Sequence, residues 1–251
     1  MMLVDVHAHL DFFENEKIAE VIKNAEKNKV KVIINNGTDK KSNRKTIELS
    51  KKYSLIKPAL GLHPEFIEKF EDFLIEEELK FIEKNADKII AIGEIGLDYH
   101  WVKDEKQLVR QKALFERFLE LAKSLDKPVI IHSREAEKDT VEMLSRSKIK
   151  NVVLHCFNGD LKLVKDTIKN GWMLSIPTNV VYNKHFQQLT DVIPLSHILT
   201  ETDAPYLSPF KDKQNEPSFI IESIKKIAEI KRMNEEEVAN AIFSNYQKMF
   251  L

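Results

Sequence analysis

The chain has little of several things, and each shortage excludes a class of protein. It holds one cysteine, Cys156, so no disulfide can form within it, and 251 residues can bury a core without one. A lone cysteine suits a reducing compartment, and the expectation is a cytoplasmic protein. No apolar run is long enough to span a bilayer, and the first residues lack the basic and then apolar pattern of a secretory leader. No membrane association is expected. Neither sign of charge is in excess: 39 Lys and Arg meet 40 Asp and Glu. That balance argues against broad electrostatic contact with nucleic acid, but it leaves room for a local grip on a phosphate through metal ions. Only six glycines are present, and no G-x-G-x-x-G follows a strand pattern, which removes the main support for dinucleotide binding. No low-complexity tract and no Pro-, Gly- or Ser-rich linker divides the chain. Residues 1–251 are expected to form one domain.

What is present is a regular alternation. Apolar, β-branched runs such as LVDVHAH, VKVIINNG, KIIAIGEIGLDYH, KPVIIHSR and NVVLHCFNG are separated by helical patterns. The helices are predicted near residues 15–28, 39–52, 71–86, 103–124, 135–145 and 184–193, with another before GWMLSIP. Two closing helices are predicted near 217–231 and 234–250. Alternating β and α segments argue a parallel sheet with right-handed crossovers. Eight such units fit a single (β/α)8 TIM barrel with additional C-terminal helices better than an open sheet.

In such barrels chemistry sits at the C-terminal ends of the strands. The predicted strand ends carry His7 and His9 in VDVHAHL, His63 in GLHP, Glu94 in GEIGLDYH, His132 in IIHSR, His155 in VLHCF, and Glu201 and Asp203 in TETDAP. A single histidine near a strand end is usually a satisfied polar residue, and a single Asp before a turn is usually a cap. The joint pattern is hard to explain as packing, because only His185 and His197 lie where indifferent placement would put them. Strand alternation puts Asp5, His7 and His9 on one face. It also sets Ile92 and Ile90 beneath Glu94, Ile130 beneath His132, and Val153 beneath His155. Four imidazoles and two or three carboxylates exceed the needs of one tetrahedral ion. They suit two divalent ions about 3.5–4 Å apart, bridged by a carboxylate and a solvent oxygen. Asp203 can also take a proton from that solvent. Mixed nitrogen and oxygen ligands admit Mg, Mn or Zn without choosing among them.

VDVHAHLD, GLHP, GEIGLDYH, IIHSR, HCFNG and ETDAPYL, followed by NEP at 215–217 and a late Asn245, together resemble the TatD family of metal-dependent deoxyribonucleases. The resemblance runs the length of the chain in the expected order. It implies that His7, His9, Glu94 and Asp203 surround one metal, and that Glu94, His132 and His155 surround the other, with Glu94 as the bridge. It implies that Asp203 orients or deprotonates the attacking water and that His63 contacts the scissile phosphate. The implied activity is phosphodiester hydrolysis, removing nucleotides from the 3′ end of single-stranded DNA. One departure stands out: many relatives carry an arginine directly before N-E-P, where this chain has Gln214 after Lys213.

Around the site, Trp101 is the better candidate for stacking a base, worth ~1–3 kcal/mol in single-strand binders. Tyr99, Phe157 and Tyr206 are weighed as loop packing, a reading favoured most for Phe157. Arg134, Lys211 and Lys213 are candidates for phosphates at the mouth, with plain solvation as the alternative. Glu201 and Asp5 are expected to orient ligand histidines from beneath, or else to be buried carboxylates held by core hydrogen bonds. Asn215 and Glu216 fix the loop after the eighth strand or cap the helix that Pro217 begins. Two other functions compete. The same water can attack an amide, lactone or aminoacyl ester, and the near-neutral surface keeps that open. A binding subunit with a structural metal is the third, and the complete ligand set argues against it. No obligatory protein partner is evident.

Overall fold

A computed structural model describes residues 1–251. Eight parallel strands pair in chain order: β1 (Leu3–Ala8), β2 (Val30–Asn36), β3 (Ile56–Leu60), β4 (Ala91–Asp98), β5 (Val129–Arg134), β6 (Val152–Leu154), β7 (Met173–Pro177) and β8 (Ile198–Glu201). Every residue of β1, β4, β6, β7 and β8 is buried, as strands covered on both faces require, and this is why they read as apolar runs. The barrel closes where the last strand meets the first. The Thr200 hydroxyl donates to the Val4 carbonyl at 2.8 Å, the Asp203 amide to the His7 carbonyl at 2.8 Å, and the His9 amide to the Ala204 carbonyl at 2.7 Å.

The helices α1 (Asn15–Lys27), α2 (Lys40–Lys52), α3 (Asp72–Lys84), α4 (Glu105–Ser124), α5 (Glu137–Ser147), α6 (Leu161–Lys169) and α7 (Lys184–Val192) follow the first seven strands. Several begin where a short polar side chain accepts from the first turn: Asp39 from the Ser42 amide, Asp104 from Gln107, and Asp160 from Lys162 and Leu163. Most turn an apolar stripe inward, while α2 buries Ser42, Asn43 and Thr46 beside Ile47 and Leu49. In α4 the buried residues are Gln111, Leu114, Phe115, Phe118, Leu119 and Ala122, a 3–4 spacing that lays one face on the sheet. Fully burying Phe115 or Phe118 contributes ~1.5–3 kcal/mol each. One continuous cluster of buried apolar residues joins the barrel interior to the helix layer. No helix is long and apolar enough to cross a membrane.

The two closing helices differ in role from their shared expectation. After β8 the chain runs through residues 202–216 and a short 3-10 turn, Pro217–Phe219, into α8 (Ile220–Lys231), which completes the eighth unit of the barrel. Only α9 (Glu235–Phe250) is additional. It packs against β1 and β8, where the Asn245 amide donates to the Leu195 and Ile198 carbonyls at 2.7 and 2.8 Å. Asn245 is therefore a clamp on the start of β8, far along that strand from its site end.

The regular alternation expected beneath Glu94 is broken. Ile92 sits opposite Val129 and Ile95 opposite Ile131, so β4 advances three residues while β5 advances two. The bulge frees Glu94 from the ladder and aims it at the site. Gly96 follows with φ of 142°, and a side-chain carbon there would lie 2.0 Å from the His132 carbonyl oxygen. Only glycine lets β4 approach β5 so closely.

Candidate metal centre

The strand tops converge on Glu94. Its two carboxylate oxygens face different partners. Oε2 lies 3.4 Å from Nε2 of both His7 and His9. Oε1 lies 2.8 Å from His132 Nδ1, 3.2 Å from His155 Nε2 and 3.3 Å from His63 Nε2. Asp203 Oδ1 joins the first group, 3.6 Å from His7 Nε2 and 3.5 Å from His9 Nε2. Asp203 lies two residues past β8, with φ of 55°, and reaches the site because its own amide is tied to β1.

For His9, His132 and His63, hydrogen bonds on the far side of the ring determine which nitrogen faces inward. His9 Nδ1 sits 2.8 Å from the Asn36 carbonyl, which can only accept, so Nδ1 carries the proton and Nε2 presents a lone pair. His132 Nε2 sits 2.9 Å from Asp98 Oδ2, which leaves Nδ1 as its inward lone pair. His155 Nδ1 lies 3.3 Å from Glu201 Oε2, and Glu201 also accepts from the Ser175 hydroxyl. His63 is reversed. Its Nδ1 accepts from the Glu65 amide at 3.2 Å, so the proton resides on Nε2, the atom facing the site. His63 therefore offers a donor where His9 and His132 offer lone pairs. Proximity alone groups His63 with Glu94 and His132 as a ligand trio, but this tautomer argues against it.

The donor set fits divalent metal ions. His7 and His9 bring their Nε2 atoms within 3.1 Å of each other, a contact that needs a shared proton or a cation. Burial pushes His7 down to about 3, and neighbouring His155 adds to the effect. Burial also disfavours the charged form of His9, but Asp203 and Glu94 outweigh it and raise the ring to about 9. The Glu94 carboxyl is pulled well below its usual range because the surrounding histidines outweigh its burial, and Asp203 is likewise lowered. Both carboxylates thus remain anionic in a buried pocket. Mixed nitrogen and oxygen donors of this kind match Zn or Mn, or Mg where the oxygens dominate.

A family profile described as TatD related DNase matches residues 4–251. The chain belongs to that family. It is similar, at 38% identity over 98% of this chain and 96% of the relative, to an uncharacterized metal-dependent hydrolase of Methanocaldococcus jannaschii, MJ1582. It is 32% identical to human deoxyribonuclease TATDN3, over 99% of this chain and 94% of that protein. The crystal structure of YjjV, the TatD homologue of Escherichia coli, superposes with a TM-score of 0.91 at 29% identity, over 99% of this chain and 97% of that one. This TatD-family protein is a metal-dependent hydrolase on a TIM barrel.

Above the centre of this TatD-family barrel lies a cleft of about 470 Å³. Trp101, Arg134 and Tyr206 line it, and so does Phe12, which stacks on His9 with ring centres 4.9 Å apart. Trp101 is 58% exposed and Tyr206 55%, and the Arg134 guanidinium lies 5.5 Å from the Trp101 ring centre. Lys213 and Lys211 do not line the cleft, and the Lys213 ammonium sits over Phe210 instead. Tyr99 turns away and donates to Asp139 at 2.7 Å, while Phe157 is buried.

Beneath the centre, Asp5 touches no imidazole. It accepts from the His7 amide at 3.2 Å and from the Thr202 amide and hydroxyl at 2.9 and 2.5 Å, and burial pushes its carboxyl up to about 8. It joins the backbones of β1 and the segment after β8. Asn215 holds the loop above, donating to the Thr202 and Tyr206 carbonyls at 2.7 and 2.6 Å, and Glu216 accepts from Ser218 and Asn24. Asp98 and Phe12 went unnoticed in the sequence. Asp98 had a signal, since it shares parity with Glu94 and ends β4. Phe12 had none.

Proposed function

We propose that residues 1–251 act as one hydrolase domain that cleaves phosphodiesters of single-stranded DNA, removing nucleotides from the 3′ end. The observation that carries this reading is the divided reach of Glu94, one oxygen toward His7 and His9 and the other toward His132 and His155. His7, His9, Glu94 and Asp203 would hold one divalent ion, and Glu94, His132 and His155 a second. When bound, such ions polarise a phosphoryl oxygen and lower the pKa of water.

The protein's own groups do the rest. Asp203 accepts a proton from the attacking water and returns it to the departing 3′ oxygen as the phosphorus–oxygen bond breaks. His63, with its proton held on Nε2, donates to a non-bridging phosphoryl oxygen. Glu201 and Asp98 keep His155 and His132 in the tautomers that face inward. Phe12, Trp101 and Tyr206 offer flat surfaces to unpaired bases, which favours a single strand over a duplex. The 3′ polarity follows the family resemblance. The unpaired cysteine supports a cytosolic setting.

The test uses single-stranded DNA labelled at its 5′ end with Mg²⁺ or Mn²⁺ present. A ladder shortening from the 3′ end, absent with EDTA and in Asp203→Asn, is the expected result. Intact DNA beside folded, metal-loaded protein would overturn the reading, and turnover of a small ester or amide would then establish the alternative bond.

A further inference from the structure

A second lobe of about 310 Å³ opens beside the main cleft and shares His132, Arg134, His155, Asp203 and Leu207 with it. It lies over the ends of β5, β6 and β7, and its own lining is different in kind. No lysine and no further carboxylate line it. Its walls are Ser133, Cys156, Asn158, Asn179, Asn183 and Phe186.

Two of these side chains are buried without a partner. Asn179, 6% exposed on the turn after β7, has no hydrogen bond from its side chain to the protein, and its Oδ1 is fully covered. The Ser133 hydroxyl is likewise buried and unpaired. Asn183 spends its Oδ1 on capping α7, accepting from the His185 and Phe186 amides at 3.0 and 3.4 Å, and keeps its N–H₂ free. Buried polar groups are nearly always paired, so an unpaired side-chain amide on the wall of this lobe calls for a ligand that pairs it.

The chemistry of that ligand follows from the walls. Asn179 and Asn183 both keep a side-chain N–H₂ free, and paired donors of this kind match the acceptor atoms on the edge of a nucleobase. Phe186 gives the lobe an apolar wall for a flat ring. The volume is at the small end for ligand sites and admits one nucleoside, not two. The lobe also abuts Asp203 and His132, so a nucleoside seated there carries its phosphate into the metal centre. The exposed aromatics lie in the other lobe, where the rest of a strand has room.

We propose that this lobe seats the terminal nucleoside, the one to be released, and that Asn179 and Asn183 read its base. The assignment rests on the phosphodiesterase reading above. Its test compares oligonucleotides with one body and different 3′-terminal bases, including an indole base that has no hydrogen-bonding edge. Asn179→Ala should lower kcat/KM on natural ends about 3- to 10-fold, carried by KM, with no loss on the indole end and a flatter ranking of the four bases. Asn183→Ser keeps an oxygen to cap α7 while removing the amide N–H₂, and should act in the same direction if Asn179→Ala does not fold. Binding of deoxynucleoside monophosphates and of deoxyribose 5-phosphate to the Asp203→Asn protein gives a readout free of turnover. There, Asn179→Ala should weaken only the nucleotides. Equal losses on natural and indole ends, or an unchanged base ranking, would overturn the lobe's assignment and leave the phosphodiesterase reading standing. Absence of any DNA cleavage by folded, metal-loaded protein would remove both.

Discussion

Replacing Asp98 by asparagine changes almost no volume but should reverse a proton. Asp98 Oδ1 accepts from the His100 and Trp101 amides, both at 2.8 Å, while Oδ2 faces His132 Nε2 at 2.9 Å. In Asp98→Asn the remaining oxygen is claimed by those two amides, so the N–H₂ must face the His132 ring. Two donors cannot pair, and the ring responds by moving its proton to Nδ1. That atom is the one 2.8 Å from Glu94, where a metal would take a lone pair. Partners of this kind typically change metal affinity 10- to 100-fold, which is ~1.4–2.7 kcal/mol. The assay is calorimetric titration of Zn²⁺ or Mn²⁺ into metal-stripped protein. Two phases are expected in the native protein, and only one should weaken in the variant, because His7 and His9 do not touch Asp98. Two unchanged phases in a folded Asp98→Asn protein would falsify the tautomer argument.

His63→Ala should reduce kcat on DNA about 10²- to 10³-fold, the size of losing one well-placed donor to a developing anion. Both metal phases should survive, whereas loss of a phase would make His63 a ligand. Trp101→Ala should raise KM on single-stranded DNA about 5-fold, the low end for stacking because the ring is 58% exposed, with kcat little changed. Asp139 ties α5 to α4 through Lys112 at 2.7 Å and accepts from Tyr99, and these partners hold its carboxyl below 3.8. A lowered carboxyl stabilises the fold above its unfolded value and loses that contribution as pH falls through the folded one. Asp139→Asn should therefore cost under about 1 kcal/mol near neutrality, since the pair is more than one-third exposed, and nothing in strong acid. Urea unfolding at both pH values measures the difference.

The barrel is legible because strands buried on both faces must be apolar, so the β-branched runs mark the strands in order. The cluster of strand-end histidines was legible for the same reason, since fold position and residue type are both written in order. Glu94 was found at its position, but its bulge was not, because register depends on how β5 lies beside it. Asp5 was placed on the right face yet bonds backbone, not rings, a distinction set by Thr202 arriving from the far end of the chain. Asp98 could have been found by counting 94, 96, 98 along one strand. Phe12 and Asn179 could not. Each gains its role from a turn whose direction no spacing encodes, and a polar residue after β7 reads simply as a solvated turn.

The interlacing of β1 with the segment after β8 has a consequence for how the protein is made. Asp5 and Thr202 are 197 residues apart, and the amides of His9 and Asp203 are spoken for by carbonyls across the same seam. His7 and His9 leave the ribosome early, long before the chain that supplies Asp203. Closing so long a loop is entropically slow, and the intervening strands must be in place before it is rewarded. A truncated or stalled chain carries the first two imidazoles with nothing to oppose them. Under the proposed ligand set, an ion held between His7, His9 and Asp203 would report that the last strand has been seated.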